Sequence, residues 1–194
     1  MVIVLGVLVA LGLESAWQAQ QDRRREASLI QNLTVEFRQN RNLLLNDLDR
    51  NRTEMARAED WGAAELTSGA LPSDAAYAFM QGSMGIFRFD PDDGVLRSGL
   101  ETGGLELIRS DELRSALSGW LSRVAEARQT ALDMTHLRNV LWGEIFDTVE
   151  GSGSEFRRQL VLRTHARMKR DVIGQQERLL HDLEEILSLL EEVT

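Results

Sequence analysis

The sequence predicts an all-α protein: an N-terminal transmembrane helix continuing into a helical bundle of about three long antiparallel helices, with an irregular middle segment. Three observations predict it. Only two prolines, Pro72 and Pro91, interrupt 194 residues rich in Leu, Ala, Arg and Glu, all good helix formers. Long proline-free stretches carry apolar residues at spacings of three and four, which places them on one helical face. The chain opens on MVIVLGVLVALGL, in which no side chain is charged or hydrogen-bonding.

That opening is the first element, a membrane anchor assigned to residues 1–20. Counted on to Trp17 it is about 25 Å of helix, slightly less than the roughly 30 Å of bilayer hydrocarbon. A secretory signal has a basic n-region and a small-x-small cleavage site, and this run leads instead into Glu14, Trp17 and Gln18. Val2, Val4, Leu5, Leu8, Leu11 and Leu13 are the expected lipid-facing residues. Trp17 stands where an interfacial aromatic belongs, and Arg23, Arg24 and Arg25 follow at headgroup depth or just beyond. Gly6, Ala10 and Gly12 offer small surfaces to neighbouring membrane helices, which would relieve the short span. The charge rule keeps the soluble part in the cytoplasm, and a basic leader ahead of the run would reverse it.

Residues 21–194 form the expected soluble helical domain. With no proline or glycine between Leu13 and Gly62, the anchor runs into a first long helix over about 21–60. Ile30, Leu33, Phe37, Leu44 and Leu48 make its stripe, with Asn40 standing where a seam residue is due. Residues 61–109 read as short helices and turns: one helix begun at Ser73 or Asp74, an extended piece through GIFRF, then Pro91, Asp92 and Asp93 in the first turn of another, ended by Gly103 and Gly104. Ser110 followed by Asp111 and Glu112 starts the second long helix, about 110–150, bent near Gly119 or Gly143. GSGS at 151–154 turns the chain back. The last helix, 155–193, carries Ile173, Gln176, Leu180, Leu183, Leu187 and Leu190 at heptad spacing, a seam expected to pack on the first helix or on another chain.

Searching for chemistry returns little. A net charge of -9, with arginines scattered among acids, argues against nucleic acid as a partner. The absence of cysteine removes disulfides and thiolate chemistry. Of three histidines, His181 has Glu177 and Glu185 on its face, a pattern read as surface ion pairing rather than a metal site. DPDDG at 90–94 brings glycine one residue too early for a calcium loop and reads as a turn and helix cap. Phosphate loops, nucleophile elbows and His-Glu-x-x-His are lacking, so no catalytic, cofactor or metal residues are assigned. Trp120, Trp142, Phe146 and Phe156 are expected to pack in the core or an interface.

Two stretches resemble a large group of uncharacterised bacterial proteins. GVLVALGLESAW supplies Gly6, Val7, Leu8, Ala10, Leu11 and Trp17, matching an anchor that ends near a tryptophan. GGLELIRSDELRSALSGW supplies Gly104, Leu105, Leu107, Ile108, Leu113, Arg114, Leu117 and Trp120. The resemblance covers about half the chain and departs from the group at the start, where a basic leader is usual. It implies a single-pass inner-membrane protein with a helical soluble domain, and no activity.

The expectation from these elements is a non-catalytic accessory or structural subunit. It would dock onto a larger bacterial membrane complex, energy-transducing assemblies among the hosts, with lipid bilayer and other membrane subunits as partners. The alternative is a membrane-anchored sensory module whose continuous first helix transmits a ligand-induced shift. An enzyme with a dispersed carboxylate or arginine site is the weakest fit.

Overall fold

The computed structural model describes residues 2–68, 89–146 and 154–193. Side chains are described within these from Gly12 onward, apart from 58, 61–68, 137–138, 141–146, 154–163 and 165–166. The described residues form helices and the short turns beside them, without strands. In chain order they form α1 (Val2–Ser68), α2 (Gly94–Glu101), a 3-10 turn (Gly104–Leu107), α3 (Asp111–Phe146) and α4 (Ser154–Glu192). Together they make a helical bundle. The expected helix at Ser73, the extended piece up to Arg88, the turn at 151–153 and the packing of Trp142, Phe146 and Phe156 lie outside the described residues.

The first helix runs past the expected end at 60, through Gly62 to Ser68. A single glycine costs a helix only about 1 kcal/mol, too little to end one that tertiary packing supports. Pro91, Asp92 and Asp93 precede α2 rather than forming its first turn, since the helix begins at Gly94 with Asp93 as its cap residue. Gly103 takes the left-handed conformation, φ 70°, that closes α2, and Gly104 opens the 3-10 turn instead of ending the helix. Ser110 starts α3 as expected, its hydroxyl accepting the Leu113 N–H at 3.2 Å.

The chain divides into two compact units. Unit 1 comprises residues 1–40, 92–120 and 183–194. Its core joins Ile30, Leu33 and Phe37 of α1 to Leu96, Leu105, Ile108, Leu113, Leu117 and Trp120, and to Leu183, Ile186, Leu187 and Leu190 of α4. The Phe37 and Trp120 rings sit 5.5 Å apart at 53°, a tilted aromatic pair inside an otherwise aliphatic core. Gly99 lets the 3-10 turn close on α2, since a side chain there would press on Leu105 Cδ2 at 3.2 Å. In this unit Arg109 N–H reaches Glu26, and Trp120 reaches Phe37. Both partners advance together, so α3 runs parallel to α1, and the three long helices are not all antiparallel as expected. The connection from 69 to 110 is long enough to return the chain before α3 begins.

Unit 2 comprises residues 41–91 and 121–182. Leu44, Leu48, Phe89, Val124, Ala127, Ala131, Met168, Val172, Ile173 and Leu179 are its buried apolar residues. Ion pairs Arg52–Glu177 at 2.6 Å and Arg170–Glu59 at 2.9 Å run in opposite directions along the two helices, so α4 is antiparallel to α1 here.

Candidate functional site

The sequence-predicted residues fall into two sets. The anchor residues Val2, Val4, Leu5, Leu8 and Leu11 belong to the helical backbone of α1, and their side chains lie outside the described residues. Leu13 and Trp17 are exposed, at 67% and 63%, and Arg23, Arg24 and Arg25 are exposed beyond them. Arg25 stands 3.6 Å from Asp22. Among the described residues no helix is long and apolar enough to cross a membrane.

The seam residues Ile30, Leu33, Phe37, Leu44, Ile173, Leu183, Leu187 and Leu190 are buried, while Leu180 is only half-buried. In α4 the expected row is one edge of the buried face. Lys169, Val172, Gln176, Leu179, Leu183, Ile186 and Leu190 form its centre, at spacings of 3, 4, 3, 4, 3 and 4. The stripe of α1 continues in the same way through Ile30, Leu33, Phe37, Asn40, Leu44, Asp47 and Asn51. Both seams therefore carry polar residues at core positions, and these build two polar sites among the described residues.

The first lies in unit 1. Asn40 is fully buried, its amide donating to the Asp92 carbonyl at 2.7 Å and its oxygen accepting the Asp92 N–H at 2.8 Å. The side chain thus takes both backbone groups of one residue, which fixes the chain where it enters α2. Glu36, buried one turn earlier, accepts the N–H groups of Val95 at 2.6 Å and Leu96 at 3.1 Å. These are orphan donors of the first turn of α2, so a carboxylate from another helix supplies the cap that Asp93 does not. Asp93 turns outward to Arg97 at 2.5 Å. Burial pushes the Glu36 carboxyl above the usual range, the two N–H bonds pull it back in part, and the charges of Asp92 and Asp93 add to the rise.

The second lies in unit 2 and is a closed ring of six side chains. Asp47 Oδ2 accepts from Gln176 Nε2 at 2.7 Å and from the Phe89 N–H at 3.2 Å. Gln176 Oε1 accepts from Asn51 at 3.0 Å, and Asn51 Oδ1 accepts from Lys169 Nζ at 2.8 Å. Lys169 also donates to Glu54. Arg50 closes the ring, with Nε 3.7 Å from Glu54 and a guanidinium nitrogen bonded to Asp47. Two carboxylates balance two cations, so the ring is neutral overall. Asp47, Asn51, Lys169 and Gln176 are buried, whereas Glu54 and Arg50 lie towards the rim. Burial lowers the Lys169 pKa and the neighbouring Glu54 raises it in part. Sequence reasoning singled out Gln176 only as a seam residue and missed the other five. The signal was a polar residue wherever the three-four alternation demanded an apolar one.

Elsewhere the chemistry is sparse. His136 and His181 are exposed, and His165 lies outside the described side chains. Glu177 pairs with Arg52, and no cluster of His, Asp and Glu suited to a metal occurs among the described residues. In DPDDG, Asp90 pairs with Arg128, and Asp92 Oδ1 accepts the Gly94 N–H at 3.3 Å, a turn with no inward-facing ligand set. An open groove of about 490 Å³ in unit 1 lies between Arg25, Leu29 and Asn32 of α1 and Val95 and Ser98 of α2 with its C-cap Thr102. A smaller one of about 220 Å³ in unit 2 lies between α3 and α4, with the Arg123–Asp182 pair on its wall. Neither gathers a nucleophile with a base. No protein family, curated protein or solved structure matches the chain.

Proposed function

We propose that this chain is a non-catalytic, membrane-anchored accessory subunit of a bacterial inner-membrane complex, holding a helical bundle beside the bilayer. One observation carries the reading. The apolar run of residues 2–13 is helical in its backbone, leads into exposed Leu13 and Trp17 and then exposed Arg23, Arg24 and Arg25, and continues without a break to Ser68. An apolar segment, an interfacial aromatic and a basic cluster in that order are what a single membrane span presents at its water-facing end. Both polar sites are internally paired, apart from Arg50 Nε, which has no hydrogen-bond partner, and this suits a bundle that binds and holds rather than one that turns over a substrate. Other membrane subunits, energy-transducing ones among them, are the expected hosts.

The test is fractionation of cells carrying the tagged full chain. The chain is expected to stay with membranes through alkaline carbonate extraction and to co-purify with other membrane proteins in mild detergent. Release into the carbonate supernatant would sink the anchor, and isolation as a lone chain in mild detergent would sink the subunit role. A second reading, a membrane-anchored sensory module, draws on the unbroken α1. It predicts a ligand-dependent thermal shift, and a screen of candidate ligands that produces none counts against it.

A further inference from the structure

Of the α-helices in unit 1, α2 has the fewest apolar anchors. It is 8 residues long, and Leu96 and Gly99 are its buried residues. Leu100 is 39% exposed, Val95 is half-buried, and the open groove separates Val95 and Ser98 from Leu29 and Asn32 of α1. The segment after α2 is fastened more firmly, with Leu105 and Ile108 buried and the Arg109 N–H bonded to Glu26. What holds α2 itself is the polar clamp: Glu36 takes the N–H groups of Val95 and Leu96, and Asn40 takes both backbone groups of Asp92. Leu29, whose Cδ1 lies 3.8 Å from where a side chain on Gly99 would begin, stands on the same face of α1. With Leu33 between them, the strip under α2 reads Leu29, Leu33, Glu36 and Asn40, polar at every second step of the clamp's end.

The clamp contains a buried carboxylate with no cation beside it among the described residues. The charges acting on Glu36 are those of Asp92 and Asp93, both of its own sign, from the turn before α2. Arg97 of α2 is drawn outward to Asp93, and Arg38 of α1 pairs with Glu191 of α4. On α3, Arg114 bonds to Asp111 and to the Ile108 carbonyl. Glu112 of α3 and Glu184, Glu185 and Glu192 of α4 are exposed. Only the two N–H bonds offset the desolvation of an ionised Glu36.

We propose that α2, with the turn that precedes it, is a strap that lifts from α1 as a unit while the rest of unit 1 stays folded, and that ionised Glu36 is the group that loosens it. Lifting returns the carboxylate to water and separates it from Asp92 and Asp93, so ionisation favours the open form. Burial raises the Glu36 pKa in the closed form, and opening restores the ordinary 4.5. The closed form is therefore held most firmly below 4.5 and loosens as pH rises through the raised value. Opening uncovers Leu96 and the apolar part of the α1 strip, a surface that the closed form keeps from any partner. The strap does not depend on the membrane reading above.

The test is hydrogen exchange of the full chain in detergent micelles, followed residue by residue between about pH 4 and 8 and corrected for the intrinsic exchange rate. The N–H groups of Leu96, Arg97 and Thr102 report on α2, and those of Leu117 and Trp120 report on α3. At neutral pH, protection in α2 is expected to be about tenfold or more below that in α3, and unchanged by urea too dilute to unfold the chain, as local opening requires. It should fall by about threefold or more as pH rises above 4.5. Glu36→Gln keeps the shape of the side chain and removes its ionisation, so the pH response of α2 should vanish while α3 is unaffected. Equal protection of α2 and α3 would overturn the strap, since both would then open only with the whole chain. Protection in α2 that ignores pH in the wild type, or that responds as strongly in Glu36→Gln, would overturn the role of Glu36.

Discussion

Unit 1 and unit 2 use the same helices and the same heptad alternation, yet they are held together by opposite means. In unit 1 the seam is aliphatic around the Phe37–Trp120 pair, and its buried polar groups, Glu36 and Asn40, serve the backbone of the chain entering α2. In unit 2 four seam positions, Asp47, Asn51, Lys169 and Gln176, are given to a hydrogen-bonded ring. The first arrangement draws its stability from the hydrophobic effect and tolerates sliding in principle, because one leucine layer resembles the next. The second gains little net energy, since desolvating four charges offsets what they recover from one another, but it fits one alignment of α1 with α4 and no other. The comparison assigns stability to unit 1 and register to unit 2.

The comparison breaks most directly where a ring member is removed singly. Lys169→Met deletes the fully buried cation and leaves Glu54 and Asn51 facing a methionine, an uncompensated loss expected to cost about 3–5 kcal/mol in urea unfolding of the full chain. Phe37→Ala in unit 1 is expected to cost a similar amount, about 3–5 kcal/mol, by a different mechanism, the cavity left against Trp120. Replacing the four buried ring members together separates the two mechanisms. Asp47→Leu, Asn51→Leu, Gln176→Leu and Lys169→Leu in one chain should cost less than Lys169→Met alone, because the remaining charges, Arg50 and Glu54, lie towards the rim and face each other, although the Phe89 N–H loses its acceptor. The same chain should lose its single alignment, seen as doubled amide resonances for residues of α1 and α4. A quadruple variant as unstable as the single one would refute the division of roles.

A smaller effect is expected at the clamp on α2. Asn40→Leu restores the apolar seam that the alternation of α1 calls for, and so tests whether the polar residue there serves the core or the backbone. Both backbone groups of Asp92 lose their partner, and because Asp92 itself is exposed, water replaces part of what is lost. A cost of about 1–2 kcal/mol is expected, with hydrogen exchange accelerated at Leu96 and Arg97 of α2. A stabilised protein would show that Asn40 is a flaw in the seam rather than a clamp.

How much of this was legible follows from the period of the helix. The three-four alternation is a strong signal, and it placed Ile30, Leu33, Phe37 and Leu44 on the buried face, while the cap signal at Ser110 placed the start of α3. It was ambiguous where two leucines or isoleucines stand side by side, as at Leu179 and Leu180 or Ile186 and Leu187. Neighbours differ by only about 100° around the axis, so either row could be the centre, and the half-buried Leu180 shows which was not. The ring stayed hidden for another reason. Asp47, Asn51 and Lys169 look like ordinary surface residues until the seam is continued through them, and their partners are more than a hundred positions away in the sequence. The parallel course of α1 and α3 was equally unreadable, because it depends on where the connection from 69 to 110 returns the chain and not on any local pattern.

The smallest expected effect is also the one whose sign is most informative. Glu36 has a folded pKa above its ordinary value because burial, the largest cause, outweighs the two N–H bonds from α2. Between the ordinary value of 4.5 and that raised value the folded chain holds more protons than the unfolded one. Stability from this group is therefore fully present below 4.5 and is lost as pH rises through the raised pKa. Glu36→Gln removes the titration while keeping one acceptor for Val95 or Leu96, so at neutral pH the change should stay within about 1 kcal/mol. The difference in unfolding free energy, wild type minus variant, should be largest in acid, fall as pH rises above 4.5, and level off only above the raised pKa. A difference that grows with pH would mean that the helix dipole and the two N–H bonds outweigh desolvation, and that unit 1 contains a stabilising buried charge after all.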